Sequence, residues 1–343
     1  MSLDLAFDQG APPARFIEMD APGVLASSRR WLGHRIVNPL VQAFIDRMVR
    51  ETVAARADPA AYARQVAKWR ALRERVEAAS APLGSIDAVQ IASPSHGLPA
   101  PPVDADWFAP IRGEPRGFVF YVHGGSFIFD RSPALTELVM RFAAAAKARV
   151  FAPNYRLAPE HPCPAAVMDT VEAFRWFRRT WPNERVVALA ESAGASILLA
   201  ALQTMRREGE AMPDGVVLLS PWVDLTLQSW SIIAATLAGH TGATMAALAM
   251  MAHLYLDERP AGDPLASPLF GDFAGFPPML IHASRCDMLY DDAARLAERV
   301  RDTGGDLTAR LWSEEAHVFE KAPTAKARQS IALAGDFIAA CLA

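Results

Sequence analysis

The stretch Val186-Val187-Ala188-Leu189-Ala190-Glu191-Ser192-Ala193-Gly194-Ala195-Ser196 decides the fold. A short apolar, β-branched start runs into small residues, and a helical pattern follows at once from Ile197 to Arg207. A buried strand can feed a helix through so tight a turn only if the residues at the bend do not clash. This is the layout of a nucleophile elbow, G-x-S-x-G, in which strained backbone lifts a serine hydroxyl off the end of a sheet. Ala190 stands at the first glycine, so the pattern reads A-x-S-x-G, with one extra methyl for the turn to accommodate. A small-residue strand-to-helix turn is also ordinary in parallel sheets, so the assignment rests on what flanks it.

Working outward, strands and helices alternate. Gly117 to Val122 is a continuous apolar run, as expected for a strand covered on both faces. A helix (Ala134 to Lys147), a strand (Arg149 to Ala152), a helix (Ala165 to Thr180) and the strand of the elbow follow. Beyond the elbow helix come strands at Gly215 to Leu219, Pro278 to Ala283 and Thr308 to Trp312, with helices at Asp291 to Asp302 and Thr324 to Leu342. Two further strands, Ile86 to Ala92 and Ala105 to Ile111, precede the series. The alternation predicts an α/β fold: a mostly parallel central sheet flanked by helices. We expect residues 81–224 and 266–343 to form this core.

Two segments stand apart. Residues 1–80 read as helical throughout. His34 to Val53 carries an apolar face, and Asp58-Pro59 is an N-cap followed by proline at the first helical position. Between Asp224 and Asp257 there is no charged residue. Ile232 to Leu256 is long enough to cross a bilayer, yet Gly239-His240-Thr241-Gly242 interrupts it and both flanks read as strands of one sheet. The expectation for 225–265 is a buried or cleft-lining pair of helices rather than a stable membrane span.

Composition narrows the function. With 343 residues, 52% hydrophobic and 21% charged, the chain has a large core. A net charge of -4 without a basic stripe argues against a nucleic-acid partner. Three cysteines without C-x-x-C spacing, and no basic start with an apolar core at the N-terminus, predict a cytoplasmic location. The eight histidines are scattered and no G-x-G-x-x-G follows a strand, so no metal and no dinucleotide cofactor is expected.

A serine hydroxyl needs a base, and the base needs an orienting group. In parallel sheets such groups gather at the carboxyl ends of the strands. Asp287 follows the strand ending at Ala283, and His317 follows the strand ending at Trp312. The order Ser192, Asp287, His317 is that of a serine hydrolase on such a sheet. Tyr121-Val122-His123-Gly124-Gly125-Ser126-Phe127 opens a glycine-rich loop whose amides can converge on one spot. Gly124, Gly125 and Ala193 are the expected oxyanion donors. Singly, Asp287 could cap a helix, Gly124-Gly125 could be a turn and His317 could be structural. Four features at four strand ends in the required order favour the joint reading.

The chain resembles the bacterial hormone-sensitive-lipase family of esterases within the α/β-hydrolases. The matching stretches are His123-Gly124-Gly125-Ser126-Phe127, Asn154-Tyr155-Arg156-Leu157-Ala158-Pro159-Glu160, Glu191-Ser192-Ala193-Gly194, Ser220-Pro221-Trp222-Val223-Asp224-Leu225, Ser267-Pro268-Leu269, Asp287-Met288-Leu289-Tyr290-Asp291-Asp292 and His317-Val318-Phe319. The resemblance covers roughly 85–340. It implies Ser192 as nucleophile, His317 as base and then acid, Asp287 as its orienter, and a cap made of the N-terminal helices and the 225–265 insertion. Ala190, Glu191 and Ser126 depart from the family's usual glycine, aspartate and third loop glycine. The reading is a cofactor-free carboxylic ester hydrolase for small to medium, mostly apolar esters. A lactonase, amidase or acyltransferase would use the same residues, and a non-catalytic ligand-binding protein is the rival of a different class. The sequence is compatible with a homodimer.

Overall fold

The computed structural model describes residues 15–19, 47–55, 57–78, 87–91, 100–238 and 245–343. Within them the strands are β1 (Arg15–Glu18), β2 (Ala88–Ile91), β3 (Ala105–Pro110), β4 (Phe118–Val122), β5 (Arg149–Pro153), β6 (Val186–Glu191), β7 (Gly215–Leu219), β8 (Met279–Ser284) and β9 (Leu307–Trp312). They form one sheet in the order β1-β9-β8-β7-β6-β4-β5-β3-β2. Every pairing from β1 across to β5 is parallel, and only β3 and β2 turn antiparallel at the far edge.

The sheet separates two apolar cores because successive side chains of a strand face opposite ways. On β4, Phe118, Phe120 and Val122 enter one core while Val119 and Tyr121 enter the other. On β6, Val186, Ala188 and Ala190 lie on the first side, Val187 and Leu189 on the second. The first side is covered by α4 (Ala165–Thr180), α5 (Ala193–Arg207) and α8 (Tyr290–Asp302). The second is covered by α3 (Pro133–Ala146) and α9 (Ala325–Cys341). Ala188 and Ala190 are fully buried at the start of α5, which is why small residues occupy the end of β6.

Above the first core lie the helical residues 47–55 (α1), α2 (Pro59–Ala78), α6 (Trp230–Ala238) and α7 (Met245–Leu256). Asp58 caps α2 as expected, its Oδ1 accepting the amides of Ala60 (2.9 Å) and Ala61 (3.2 Å). Val66 and Trp69 of α2 are buried, and the Trp69 indole donates to Thr52 Oγ1 of α1 (3.1 Å). Arg70 anchors α2 to the core by donating to the carbonyls of Ile128 (3.0 Å) and Ala158 (3.1 Å) and to both oxygens of Glu160. The uncharged run forms two short helices, and no described helix is long and apolar enough to cross a membrane. The expected helix over residues 34–46 and the break at 239–244 lie outside the described residues.

One expectation needs correction. Residues 1–80 are not helical throughout: Arg15–Glu18 is a strand that extends the core sheet, running parallel to β9 with Arg15 opposite Thr308 and Glu18 opposite Leu311. Four residues are too few to display a period against a helical background.

Candidate active site

The sheet's topology sets the site. From β4 the chain goes to β5 on one side and returns to β6 on the other. The loops after β4 and β6 therefore diverge, leaving a crevice at their carboxyl ends.

At the end of β6, Ser192 takes φ 54° and ψ -128°, and α5 starts with the next residue. A non-glycine residue held there stores about 1–3 kcal/mol of strain. Neighbours hold it: the Ser192 amide donates to the Leu219 carbonyl and the Ser192 carbonyl accepts from the Trp222 amide, each at 3.0 Å. Gly194 is required by proximity, since a Cβ there would lie 2.4 Å from the Val122 carbonyl oxygen. Ala190 does not disturb the bend, pairing with Val122 and Leu218 in regular register.

Ser192 Oγ lies 2.9 Å from His317 Nε2, and His317 Nδ1 lies 2.9 Å from Asp287 Oδ2. With a carboxylate at Nδ1, that nitrogen carries the hydrogen and Nε2 is left to accept from the serine hydroxyl. Asp287 is buried three residues past β8, where the Leu289 amide donates to its Oδ1 (3.0 Å). Burial alone would raise its pKa. The His317 charge and hydrogen bond, with the Ser220 hydroxyl and the Leu289 amide, outweigh this and hold it below the usual carboxylate value.

Two further serines stitch the loops together. Ser220 Oγ, after β7, accepts the Val318 amide (3.1 Å). Ser284 Oγ, ending β8, accepts the Glu315 amide (2.9 Å), so the segments bearing Asp287 and His317 share a hydrogen bond. Sequence reasoning gave neither a role, although Ser220 stands in one of the matching stretches, because a serine at a strand end resembles any turn residue.

The loop after β4 carries three consecutive positive φ angles, Gly125 (128°), Ser126 (52°) and Phe127 (67°). Such a run turns successive amides toward a common side, as in an anion-binding nest. His123 opens the loop. Burial lowers its pKa to about 4, so the ring is neutral, and its Nδ1 donates to the Gly124 carbonyl (2.6 Å). The Tyr155 ring stacks on it at 4.3 Å, and the Tyr155 hydroxyl donates to the His123 carbonyl.

Gly124 is not a free donor, and here the expectation is corrected. Its amide donates to Glu191 Oε1, which also accepts the Tyr121 hydroxyl (3.1 Å). The amides of Gly125, Ser126 and Ala193 have no hydrogen-bond partner among the described residues. Ser126 went unassigned, although it occupies the third position of the glycine run. The cue was that a departure in side chain leaves the amide untouched.

The helices above reach this loop. Tyr255 of α7 stacks on Phe127 at 4.0 Å and 11°. Arg73 of α2 packs over the Phe129 ring (4.8 Å), and a Cβ on Gly125 would meet its guanidinium at 2.8 Å. A cavity of about 640 Å³ opens beside it, with Arg70, Arg73, Phe129, Arg131 and Leu157 among its walls. Neither Ser192 nor His317 lines that cavity. Among the described residues, no three His, Cys, Asp or Glu side chains group in a way that could hold a metal ion.

A family profile described as the α/β-hydrolase fold matches residues 119–321, more than half of the chain. The chain belongs to the α/β-hydrolase family. This hydrolase is 35% identical to an acetyl-hydrolase of Streptomyces hygroscopicus over 68% of its own length and 79% of the relative's. It is 29% identical to an esterase of Acinetobacter venetianus over 57% of its length and 65% of the relative's. A crystal structure of an esterase from the bacterial hormone-sensitive lipase family superposes with TM-score 0.71 at 29% identity, covering 87% of this chain and 98% of that one. A hormone-sensitive lipase from a metagenome library gives 0.72 at 27% identity, covering 88% and 98%. The hydrolase is thus an esterase-type enzyme of the bacterial hormone-sensitive-lipase branch.

Proposed function

We propose that this hydrolase cleaves carboxylic esters with Ser192 as nucleophile, His317 as general base and then acid, and Asp287 as the group that orients and stabilises the imidazole. The observation that carries the reading is the unbroken hydrogen-bond chain from Ser192 Oγ through the His317 ring to Asp287. His317 takes the hydroxyl proton as Ser192 attacks the ester carbonyl, and returns it to the leaving alcohol. Water then cleaves the acyl-enzyme by the same route. The amides of Gly125, Ser126 and Ala193 stabilise the tetrahedral oxyanion, each worth about 2.7–4 kcal/mol of barrier. Gly124 keeps the loop in shape by its bond to Glu191.

The substrate is a small to medium, mostly apolar ester, and α1, α2, α6 and α7 act as the cap. Support comes from the mostly apolar buried side of α7, with Leu248, Met250, Met251 and Leu254 buried, and from the Phe127–Tyr255 stack. The test is hydrolysis of a p-nitrophenyl ester series of increasing acyl length by the native chain and Ser192→Ala. Loss in the variant, with an optimum at short or medium acyl chains, is expected. Equal rates for the two proteins, or no turnover of any ester, would refute the reading.

A further inference from the structure

Beneath the serine, histidine and aspartate lies a second chain of polar groups that the proposed chemistry leaves unused. Glu320 sits in the 3-10 turn Phe319–Lys321, just past His317, and is 1% exposed. Ser330 of α9 donates its hydroxyl to Glu320 Oε1 (2.7 Å). His282 Nδ1, from β8, lies 2.7 Å from the same Ser330 oxygen. Ser330 has one hydrogen and gives it to Glu320, so His282 donates from Nδ1. Ser330 and His282 are completely buried. Glu320 Oε2 and His282 Nε2 have no hydrogen-bond partner among the described residues.

A buried carboxyl with one hydrogen-bond donor is expensive to keep where an apolar side chain would pack. Its location gives it a use. β8 is the strand whose end carries Asp287, and the turn at Glu320 follows His317. The two segments are joined once by Ser284 and a second time through Glu320, Ser330 and His282. We propose that Glu320 is a positioning residue for His317: its buried carboxyl fixes the turn that carries the imidazole and supplies a second negative charge, besides Asp287, that the imidazolium senses. This rests on the roles proposed above for Ser192, His317 and Asp287.

The charges around Glu320 support the assignment. Burial pushes its pKa up to about 7 against the Ser330 and backbone hydrogen bonds; more weakly, the His317 charge pulls it down and the Asp287 charge pushes it up, so the three groups act on one another. His282 stays neutral, lowered to about 3 by burial and by Arg310 of β9. Of the charged groups on the helices packed against this turn, Glu137 of α3 and Arg328 of α9 act on Arg141 of α3, and Lys326 of α9 pairs with Glu315 (3.3 Å), while Asp336 lies further along α9. Ionised Glu320 therefore stabilises positive charge on the His317 ring as it forms in the reaction; neutral Glu320 does not.

The test is the pH dependence of kcat and KM for Glu320→Gln, with Ser192→Ala run in parallel. The amide keeps the shape and removes the charge. The expected result is a several-fold lower kcat at an unchanged KM, with the acid limb moved to lower pH by on the order of half a unit. A profile that superimposes on the native one overturns the proposal. So does a uniform loss of kcat with no movement of the limb, which describes a merely structural residue. If Glu320→Gln does not fold, Ser330→Ala answers instead: losing the hydroxyl that holds the carboxyl should lower kcat at an unchanged KM and move the acid limb, and a native profile overturns the proposal. Native activity that survives Ser192→Ala would instead sink the underlying assignment, so the two failures are distinguishable.

Discussion

The carboxyl of Glu191 takes the amide hydrogen of Gly124, so the last residue of β6 reaches across to the first glycine of the loop that ends β4. A Cβ at Gly124 would lie 2.2 Å from Glu191 Oε2 and 2.7 Å from the Glu191 carbonyl oxygen. Gly124→Ala is therefore expected to displace the loop and lower kcat at least tenfold on a p-nitrophenyl ester, with the fold retained by circular dichroism. Shortening the acid in Gly124→Ala/Glu191→Asp should recover part of that loss, since it removes the nearer of the two clashes. A double variant no better than the single one would show that the backbone contact alone sets the loop.

Asp287→Asn tests the orienting role. The hydrogen-bond distance can be kept, but the amide no longer demands the hydrogen on Nδ1, and the wrong tautomer reduces kcat by about 10⁴-fold in a serine triad. We expect a fall of that order with little change in KM. Combining it with Ser192→Ala should cost no more than Ser192→Ala alone, because residues acting as a unit are not additive.

Stability should respond to pH through buried neutral histidines. His282 is lowered to about 3 and His123 to about 4, chiefly by burial. In the unfolded chain both take up protons near pH 6.5. The stability they contribute is whole above that pH and is lost as pH falls toward the folded values, because the unfolded state gains protons that the native state refuses. Glu320 and Asp292, each raised to about 7 by burial, pull the other way over the same range, so the test is a difference: between pH 7.5 and 5, urea unfolding of His282→Asn, which keeps a donor for Ser330, should lose one proton of acid-side destabilisation relative to the native chain. An unchanged slope would show that His282 is charged in the native state.

Arg70 carries the attachment of α2. Its ion pair with Glu160 is solvent-exposed and contributes little, within about 1 kcal/mol. The bonds to the Ile128 and Ala158 carbonyls matter more, because Arg70→Ala leaves both without that donor. Amide hydrogen exchange over 59–78 should accelerate in this variant while exchange in β4 and β6 stays as in the native chain. Uniform acceleration across both regions would instead mark a global loss of stability.

The sequence made some of this legible and hid the rest for physical reasons. The strands around Ser192 announced themselves because a parallel sheet covered on both faces needs unbroken apolar runs. Asp287 and His317 could be found because such a sheet gathers its reactive groups at strand ends. The donor amides could not be chosen from residue type. Whether Gly124 or Ser126 offers a free N–H depends on the reach of the Glu191 side chain and on two positive φ angles, and neither is written in residue type. Glu320 was invisible for a similar reason: in Phe319-Glu320-Lys321 the charged pair reads as surface, yet Glu320 is buried beside Phe319. The strand Arg15–Glu18 offered four residues and no pattern.

That strand has a consequence for how the molecule is made. Its partners on β9, Thr308 to Leu311, are translated only after every other strand of the sheet has been synthesised. Contacts so distant along the chain close late, because the intervening loop must first be shortened by other structure. During synthesis β1 has no place to dock, and the edge of the sheet is sealed as the last act of assembly, by the segment that was made first.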